Sequence, residues 1–255
     1  MTREEVDALL DALERGERRA AAPDGKGGWA VDAAVKEGIL AAFRLGVEVD
    51  SASGVLLFRD RDTLPPRGPL PAGVRVVPGG TALRRGAFLA KGVVVMPPAY
   101  VNVGAYVDEG SLVDSHALVG SCAQIGKRVH LSAAAQIGGV LEPVGAVPVV
   151  VEDEAFVGGG VGVYEGVRVG KRAVLAAGTI LTASTVIFDL VNERELRSTP
   201  ERILSIPDGA VVVPGTRRAS GAFAERNGLA VAAPMIVKYR DEKTDARTAL
   251  ESAIR

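Results

Sequence analysis

The chain has 255 residues, 47% of them hydrophobic, enough for a substantial core and too apolar for a disordered chain. Its 31 acidic and 30 basic residues leave a formal net charge of -1, so the overall balance calls for neither nucleic acid nor an anionic membrane. A single cysteine, Cys122, excludes an internal disulfide and a multi-cysteine metal cluster, and the low aromatic content beside abundant Gly, Ala and Val suits a thin, tightly wound structure.

At the N-terminus no apolar run reaches signal-peptide length, and no later stretch approaches the roughly 18 uncharged apolar residues that a membrane span needs. The expected location is therefore the cytoplasm. Thr2-Arg-Glu-Glu5 reads as a capping box, and Val6, Leu9, Leu10 and Leu13 share one face, which predicts a helix over residues 3–15. Asp32 can cap a second helix that turns Val35, Ile39, Leu40 and Phe43 inward and stops at Gly46. A small helical N-terminal domain is expected over residues 1–72, with a stiff linker at Pro65-Pro-Arg-Gly-Pro-Leu-Pro71.

Beyond the linker a period of six takes over. Stepping from Val77 gives Leu83, Leu89, Val95, Val101, Val107, Val113, Val119, Ile125, Leu131 and Ile137 without a break. The phase then jumps and resumes as Val151, Val157, Val163, Val169, Leu175, Leu181 and Ile187. Four residues after each hit sits a mostly small side chain, such as Ala105, Ser111, Ala117 and Ala123, as a cramped corner demands. Each hexad reads as one short strand plus a turn, and three hexads close one coil of a triangular prism, so these eighteen make six coils. Recurring glycines, among them Gly104, Gly110, Gly120, Gly126, Gly138 and Gly158, fall where φ > 0 or close backbone approach is expected. A two-sheet sandwich would instead alternate with period two and vary in spacing.

Between Ile137 and Val151 lie fourteen residues where two hexads would take twelve, with prolines at 143 and 148. A loop over residues 139–148 is expected to leave the prism, and loops thrown from rigid repeats commonly carry function. Past Ile187, the charged run Asn192-Glu-Arg-Glu-Leu-Arg197 and Pro200 mark an excursion, after which Ala210-Val-Val-Val213 returns to the prism. The prism domain thus spans 73–215. Residues 216–255 form a short α/β C-terminal extension, with a strand Met235–Tyr239 and a helix from Thr244, that covers unpaired strand edges.

The run Ala99-Tyr-Val-Asn-Val-Gly-Ala-Tyr-Val-Asp-Glu-Gly-Ser-Leu-Val-Asp114, continued by Val119-Gly-Ser-Cys-Ala-Gln-Ile-Gly-Lys127 and Gly138-Gly-Val-Leu-Glu-Pro143, resembles the tetrahydrodipicolinate N-succinyltransferases of the lysine and diaminopimelate pathway. Similarity extends to Gly28-Trp29, Ala42-Phe-Arg44, Gly73-Val-Arg-Val-Val-Pro78 and Ile236-Val-Lys238, and so to nearly the whole chain. The resemblance implies a mainly β protein with a left-handed parallel β-helix, and a homotrimer with active sites between neighbouring subunits. It further implies succinyl-CoA as co-substrate, no permanently bound cofactor, and a cyclic imine dicarboxylate as acceptor. The chain departs from the family's succinyl-transferring branch at Gly160 and Gly162, where that branch carries an arginine and a glutamate, which opens the donor to question. The related N-acetyltransferases, which use acetyl-CoA, share Pro-Val-Val-Val-Glu-Asp, present here at 148–153, while the N-terminal domain and the Tyr-Val-Asn-Val-Gly run favour succinyl.

Arg75 matches a family arginine that binds an acceptor carboxylate, a task suited to the bidentate guanidinium. Asp114 matches the family aspartate that contacts the acceptor, where it would orient or deprotonate the attacking nitrogen. Read from the residues alone, Asp114 is equally a turn aspartate bonding its own backbone. Glu109, one hexad earlier beside Asp108, is a second acid/base candidate. His130 fits a structural or binding role, and His116 is the weaker of the two histidines for the chemistry. Two histidines cannot supply the three ligands of a β-helical zinc site. Cys122 reads as a small buried residue, because an amine attacking a thioester needs no covalent enzyme step. Gly139 in the long loop is expected over the donor, with Lys171, Arg172, Arg217 and Arg218 as cations for its phosphates or as ordinary surface charge. Outside this chemistry stand a non-enzymatic trimeric β-helix and acyl transfer to a nucleotide sugar or another amine.

Overall fold

A computed structural model describes residues 1–199 and 202–240. Its centre is a three-sided column of mostly two-residue parallel strands, each stacked on the strand one coil earlier. The first face stacks Val76, Val95, Val113, Leu131, Val157, Leu175 and Val212 as its inward residues. The second stacks Leu83, Val101, Val119, Ile137, Val163 and Leu181. The third stacks Leu89, Val107, Ile125, Val151, Val169 and Ile206. These side chains and the corner residues Ala87, Ala105, Ala123, Ala135, Ala155 and Ala173 form one continuous core. Burying each large aliphatic contributes about 1.5–3 kcal/mol, and the coil-to-coil hydrogen bonds satisfy the backbone, as in Leu112 N–H to Val129 O at 2.9 Å and Asp114 N–H to Leu131 O at 2.9 Å.

The period of six holds through the middle of the column and fails at both ends. Val76, not Val77, pairs with Val95, because the Gly79-Gly80 turn takes one residue more than a regular hexad. Ile187 does not supply the eighteenth rung. It opens a hairpin, Ile187–Asp189 with Arg194–Leu196, and the rung on the third face is filled by Ile206. The long insertion replaces a single turn: Val151 stacks directly on Ile125, so Ile137 and Val151 are consecutive rungs with no strand between them.

The turn glycines divide into two kinds. Gly104 and Gly110 take φ of +73° and +69°, a conformation that His116, Cys122, Arg128 and Ala134 adopt at the equivalent place in later hexads. Gly120 is required for space instead, since a Cβ there would lie 2.2 Å from the Gly139 amide nitrogen.

The N-terminal part holds helices α1 (Arg3–Glu14) and α2 (Ala33–Leu45). The Thr2–Glu5 capping box and the Asp32 cap are present. Val6, Leu9, Leu10, Leu13, Val35 and Ile39 pack with Val103 and Cys122 from two column turns, so this part has a core of its own seated on the outside of the column. It is not wholly helical. Ala21–Pro23 pairs with Trp29–Val31, and Glu48–Ser53 with Leu56–Arg61. The second hairpin is exposed along nearly all its length, so it lacks the buried alternation by which a strand is recognised in sequence. The proline segment is a strap bonded to the first coil rather than a spacer, with Arg67 N–H on Leu83 O at 2.7 Å and Arg85 N–H on Pro65 O at 3.0 Å.

At the other end, Met235–Tyr239 lies antiparallel to Ala210–Val213 and covers the last strand edge. The helix expected from Thr244 lies outside the described residues. A third, short helix, α3 (Ala222–Arg226), precedes the Met235–Tyr239 strand. No helix among the described residues is long and apolar enough to cross a membrane.

Buried Asp189 ties this end together, accepting from Asn192 Nδ2 at 2.8 Å, Tyr239 OH at 2.8 Å and Arg194 Nε at 3.0 Å. Burial disfavours its charge, but the donors from Asn192, Tyr239 and Arg194 outweigh it and draw the carboxyl down to about 2. Because this lies below the ordinary carboxyl value near ~4, the group's stabilisation is complete above about pH 4 and is lost as pH falls through about 2. Asp189→Asn is expected to cost about 2–3 kcal/mol at neutral pH, with the deficit against wild type closing in acid unfolding curves. A pH-independent deficit contradicts this account.

Candidate functional site

At the corner between the second and third faces the chain leaves the column after Gly138. Residues 139–148 run outward, rooted by Val140 N–H on Ser121 O at 3.2 Å and packed through Leu141 against the N-terminal core. Opposite them, the segment returning from the Ile187 hairpin brings Ser198, Thr199, Arg202 and Ile203 alongside the same corner. Between the two walls lies an open groove of about 920 Å³, with Tyr164, Glu165, Thr182 and Ala183 along its base. That is room for an extended ligand rather than a small ion.

Tyr164 occupies the space that two glycines leave. A Cβ on Gly138 would lie 2.8 Å from its Cδ1, and one on Gly162 would lie 2.4 Å from its Cε2. Glu165 accepts the Ala183 N–H at 3.0 Å, which joins two successive turns of the corner. Arg202, whose backbone bonds Thr199, is the one cation lining the groove among the described residues.

Of the residues singled out in the sequence, Gly139 lines this groove. Lys171 and Arg172 stand on another corner, between the third and first faces, and Arg217 and Arg218 lie on the exposed strand Thr216–Arg218; none of the four lines the groove. Arg75, Glu109 and Asp114 gather around the first face. Arg75 points outward on its first strand, Glu109 sits in the turn entering it and Asp114 in the turn leaving it. Asp114 is half-buried and its Oδ1 takes the Ser115 N–H at 2.7 Å, leaving Oδ2 without a protein partner among the described residues. Asp108 and Asn102 make the same local bond one and two hexads earlier, at 2.8 Å each. Glu109 is exposed, with Lys127 Nζ at 3.9 Å. His130 packs against Phe156 on the outside of the first face, with ring centroids 4.8 Å apart and ring planes tilted by 47°, and His116 is an exposed turn residue with φ of +62°. Cys122 is buried in the N-terminal core, and burial pushes its thiol up to about 12, which removes it as a nucleophile.

Sequence reasoning does not single out Tyr164 or Arg202. For Tyr164 a signal exists: it fills the turn position held elsewhere by Asn102, Asp108 or Asp114, with glycine at 162 and 166 on either side. Arg202 carries no local signal, because only the return of its segment after the hairpin puts it at the groove.

Residues 1–45 match the family model for the tetrahydrodipicolinate N-succinyltransferase N-terminal region, and residues 148–183 match that for the hexapeptide repeat of succinyl-transferases. The 2,3,4,5-tetrahydropyridine-2,6-dicarboxylate N-succinyltransferase of Bradyrhizobium diazoefficiens is 44% identical over 262 residues, covering 99% of this chain and 90% of that protein. The chain belongs to the tetrahydrodipicolinate N-succinyltransferase family. The enzymes of the same name from Rhodopseudomonas palustris strain TIE-1 and Delftia acidovorans are 43% and 42% identical, each over 99% of this chain and over 90% and 89% of theirs. A Campylobacter jejuni structure assigned as a 2,3,4,5-tetrahydropyridine-2-carboxylate N-succinyltransferase superposes with a TM-score of 0.55 at 17% identity, over 91% of this chain and 63% of that one, and shares the fold.

Membership in the N-succinyltransferase family makes the chain an N-acyltransferase on a left-handed parallel β-helix. The structure sets the two glycines at 160 and 162, where the resemblance implies charged side chains, in different surroundings. Gly160 has φ of +64° with open space beyond it, whereas the volume a side chain at Gly162 would need holds the Tyr164 ring.

Proposed function

We propose that this protein transfers the succinyl group of succinyl-CoA to the nitrogen of tetrahydrodipicolinate in the lysine and diaminopimelate pathway, acting in the cytoplasm as a homotrimer. Identity above 40% to N-succinyltransferases over 99% of the chain carries this reading. The groove between loop 139–148 and residues 198–203 fits an extended acyl-CoA donor, and Arg202 offers the charge that the succinyl carboxylate or a CoA phosphate requires. Arg75 on the first face would hold an acceptor carboxylate.

The chemistry follows from these positions. Water first adds across the C=N bond of the cyclic imine, which gives a carbinolamine whose nitrogen carries an N–H. That nitrogen attacks the thioester carbonyl, a C–N bond forms, the C–S bond breaks with CoA leaving as its thiolate, and ring opening yields the N-succinyl amino keto diacid. The free Oδ2 of Asp114 takes the proton that the nitrogen sheds, while the bond from Ser115 holds the carboxylate in place. Asp114 and the groove lie on different corners of one column, which supports a site completed by a second copy of the chain.

Acetyl transfer to the same acceptor is the competing reading, favoured by the missing charges at Gly160 and Gly162. Parallel assays of CoA release should give a kcat/KM for succinyl-CoA at least about tenfold above that for acetyl-CoA, or about 1.4 kcal/mol of transition-state preference. A tenfold preference for acetyl-CoA would sink the succinyl assignment.

A further inference from the structure

Lys36 is fully buried on α2, between the N-terminal core and the long loop. Its Nζ donates to the Ala146 carbonyl, its only hydrogen-bond partner among the described residues, and no carboxylate pairs with it. The other ionisable group near the ammonium is Cys122, which stays protonated in its own buried setting. A lysine in such a place is costly, because burial removes its hydration and lowers its pKa, and an apolar side chain would fill the space at less expense. What the lysine supplies, and an apolar residue cannot, is a strong donor aimed at one backbone atom of the loop that walls the groove. Leu141 packs the other end of that loop against the same N-terminal core.

We propose that Lys36 is a positioning residue for the acyl-CoA donor: by fixing the Ala146 carbonyl it holds residues 139–148 in the shape that forms the groove. The inference rests on the groove being the donor site. The N-terminal domain then acts on a donor it does not touch, through one hydrogen bond across the corner of the column.

Lys36→Met keeps the unbranched side chain and the packing while removing the donor. Amide hydrogen exchange over residues 139–148, measured on the protein without donor, is expected to quicken about tenfold, with α1 unchanged. In the same variant KM for succinyl-CoA should rise about tenfold while KM for the acceptor stays within about twofold. Lys36→Arg, which retains a donor, should recover part of both effects. A merely structural role would instead lower the unfolding midpoint without separating the two KM values. Unchanged exchange in the loop of a folded Lys36→Met protein overturns the inference. Faster exchange with unchanged donor KM instead overturns the donor assignment of the groove and the positioning role with it. Should Lys36→Met fail to fold, the same measurements on Lys36→Gln, whose amide falls short of Ala146, decide between these outcomes.

Discussion

Asp114→Asn is expected to lower kcat by at least about 100-fold while leaving the unfolding midpoint within a few degrees of wild type. The asymmetry between the two effects comes from the geometry of the turn. Oδ1 accepts the Ser115 N–H at 2.7 Å, and an asparagine carbonyl oxygen can accept the same bond, so the turn keeps its local support. The proton-accepting carboxylate is lost. Asp108→Asn is the matched control, since Asp108 makes the same bond to Glu109 N–H at 2.8 Å one hexad earlier, and it should be nearly silent in both measurements. Glu109→Gln separates the second acid/base candidate, whose exposed side chain faces Lys127; a loss of kcat there comparable to that of Asp114→Asn would exchange their roles. A fall of less than about tenfold for Asp114→Asn would leave that residue as one more turn aspartate in the series with Asn102 and Asp108.

The second large effect is on stability. Gly120→Ala is expected to cost about 3 kcal/mol or more, because the new Cβ would lie 2.2 Å from Gly139 N and 2.6 Å from the Gly138 carbonyl carbon, and backbone atoms cannot swing aside as a side chain can. The contact falls at the root of the long loop, so the donor KM should rise with the loss of stability. Gly160→Ala provides the contrast. It has φ of +64° but nothing within 4 Å of the added carbon, so it should cost only about 1–2 kcal/mol, the penalty of the left-handed conformation. Guanidinium unfolding of the three proteins tests the ranking; equal losses would show that φ, not space, governs these turns.

The two glycines also mark what could be read in advance. The column was legible because its rule is local: each hexad repeats the same inward aliphatic and the same corner, so the eleven residues from Val77 to Ile137 announce it, and ten of them are the inward rungs found. The exceptions are instructive. Val77 gives way to Val76 because one extra residue in the Gly79-Gly80 turn leaves the local pattern intact while shifting its register. Ile187 has the right residue type at the right interval, and its side chain is buried in the core, yet Ile206 holds the rung because pairing with Val169 is a contact across distant sequence. The Glu48–Arg61 hairpin carries no legible alternation, since it is exposed along nearly all its length. At the site, loop 139–148 was legible as a break in the period. Asp114 was legible only as a residue with two readings.

By itself, then, the amino-acid order determined the winding of the backbone, the two helices at its start and the place where the loop departs. Those features follow from repeating patterns, caps and prolines that act over a few residues. Tertiary structure alone decided that Arg202 returns to the groove, that Lys36 reaches Ala146, and that Asp114 stands on a different corner from the groove. Each depends on how many residues a turn or hairpin consumes before the chain comes back, a count to which no local preference responds.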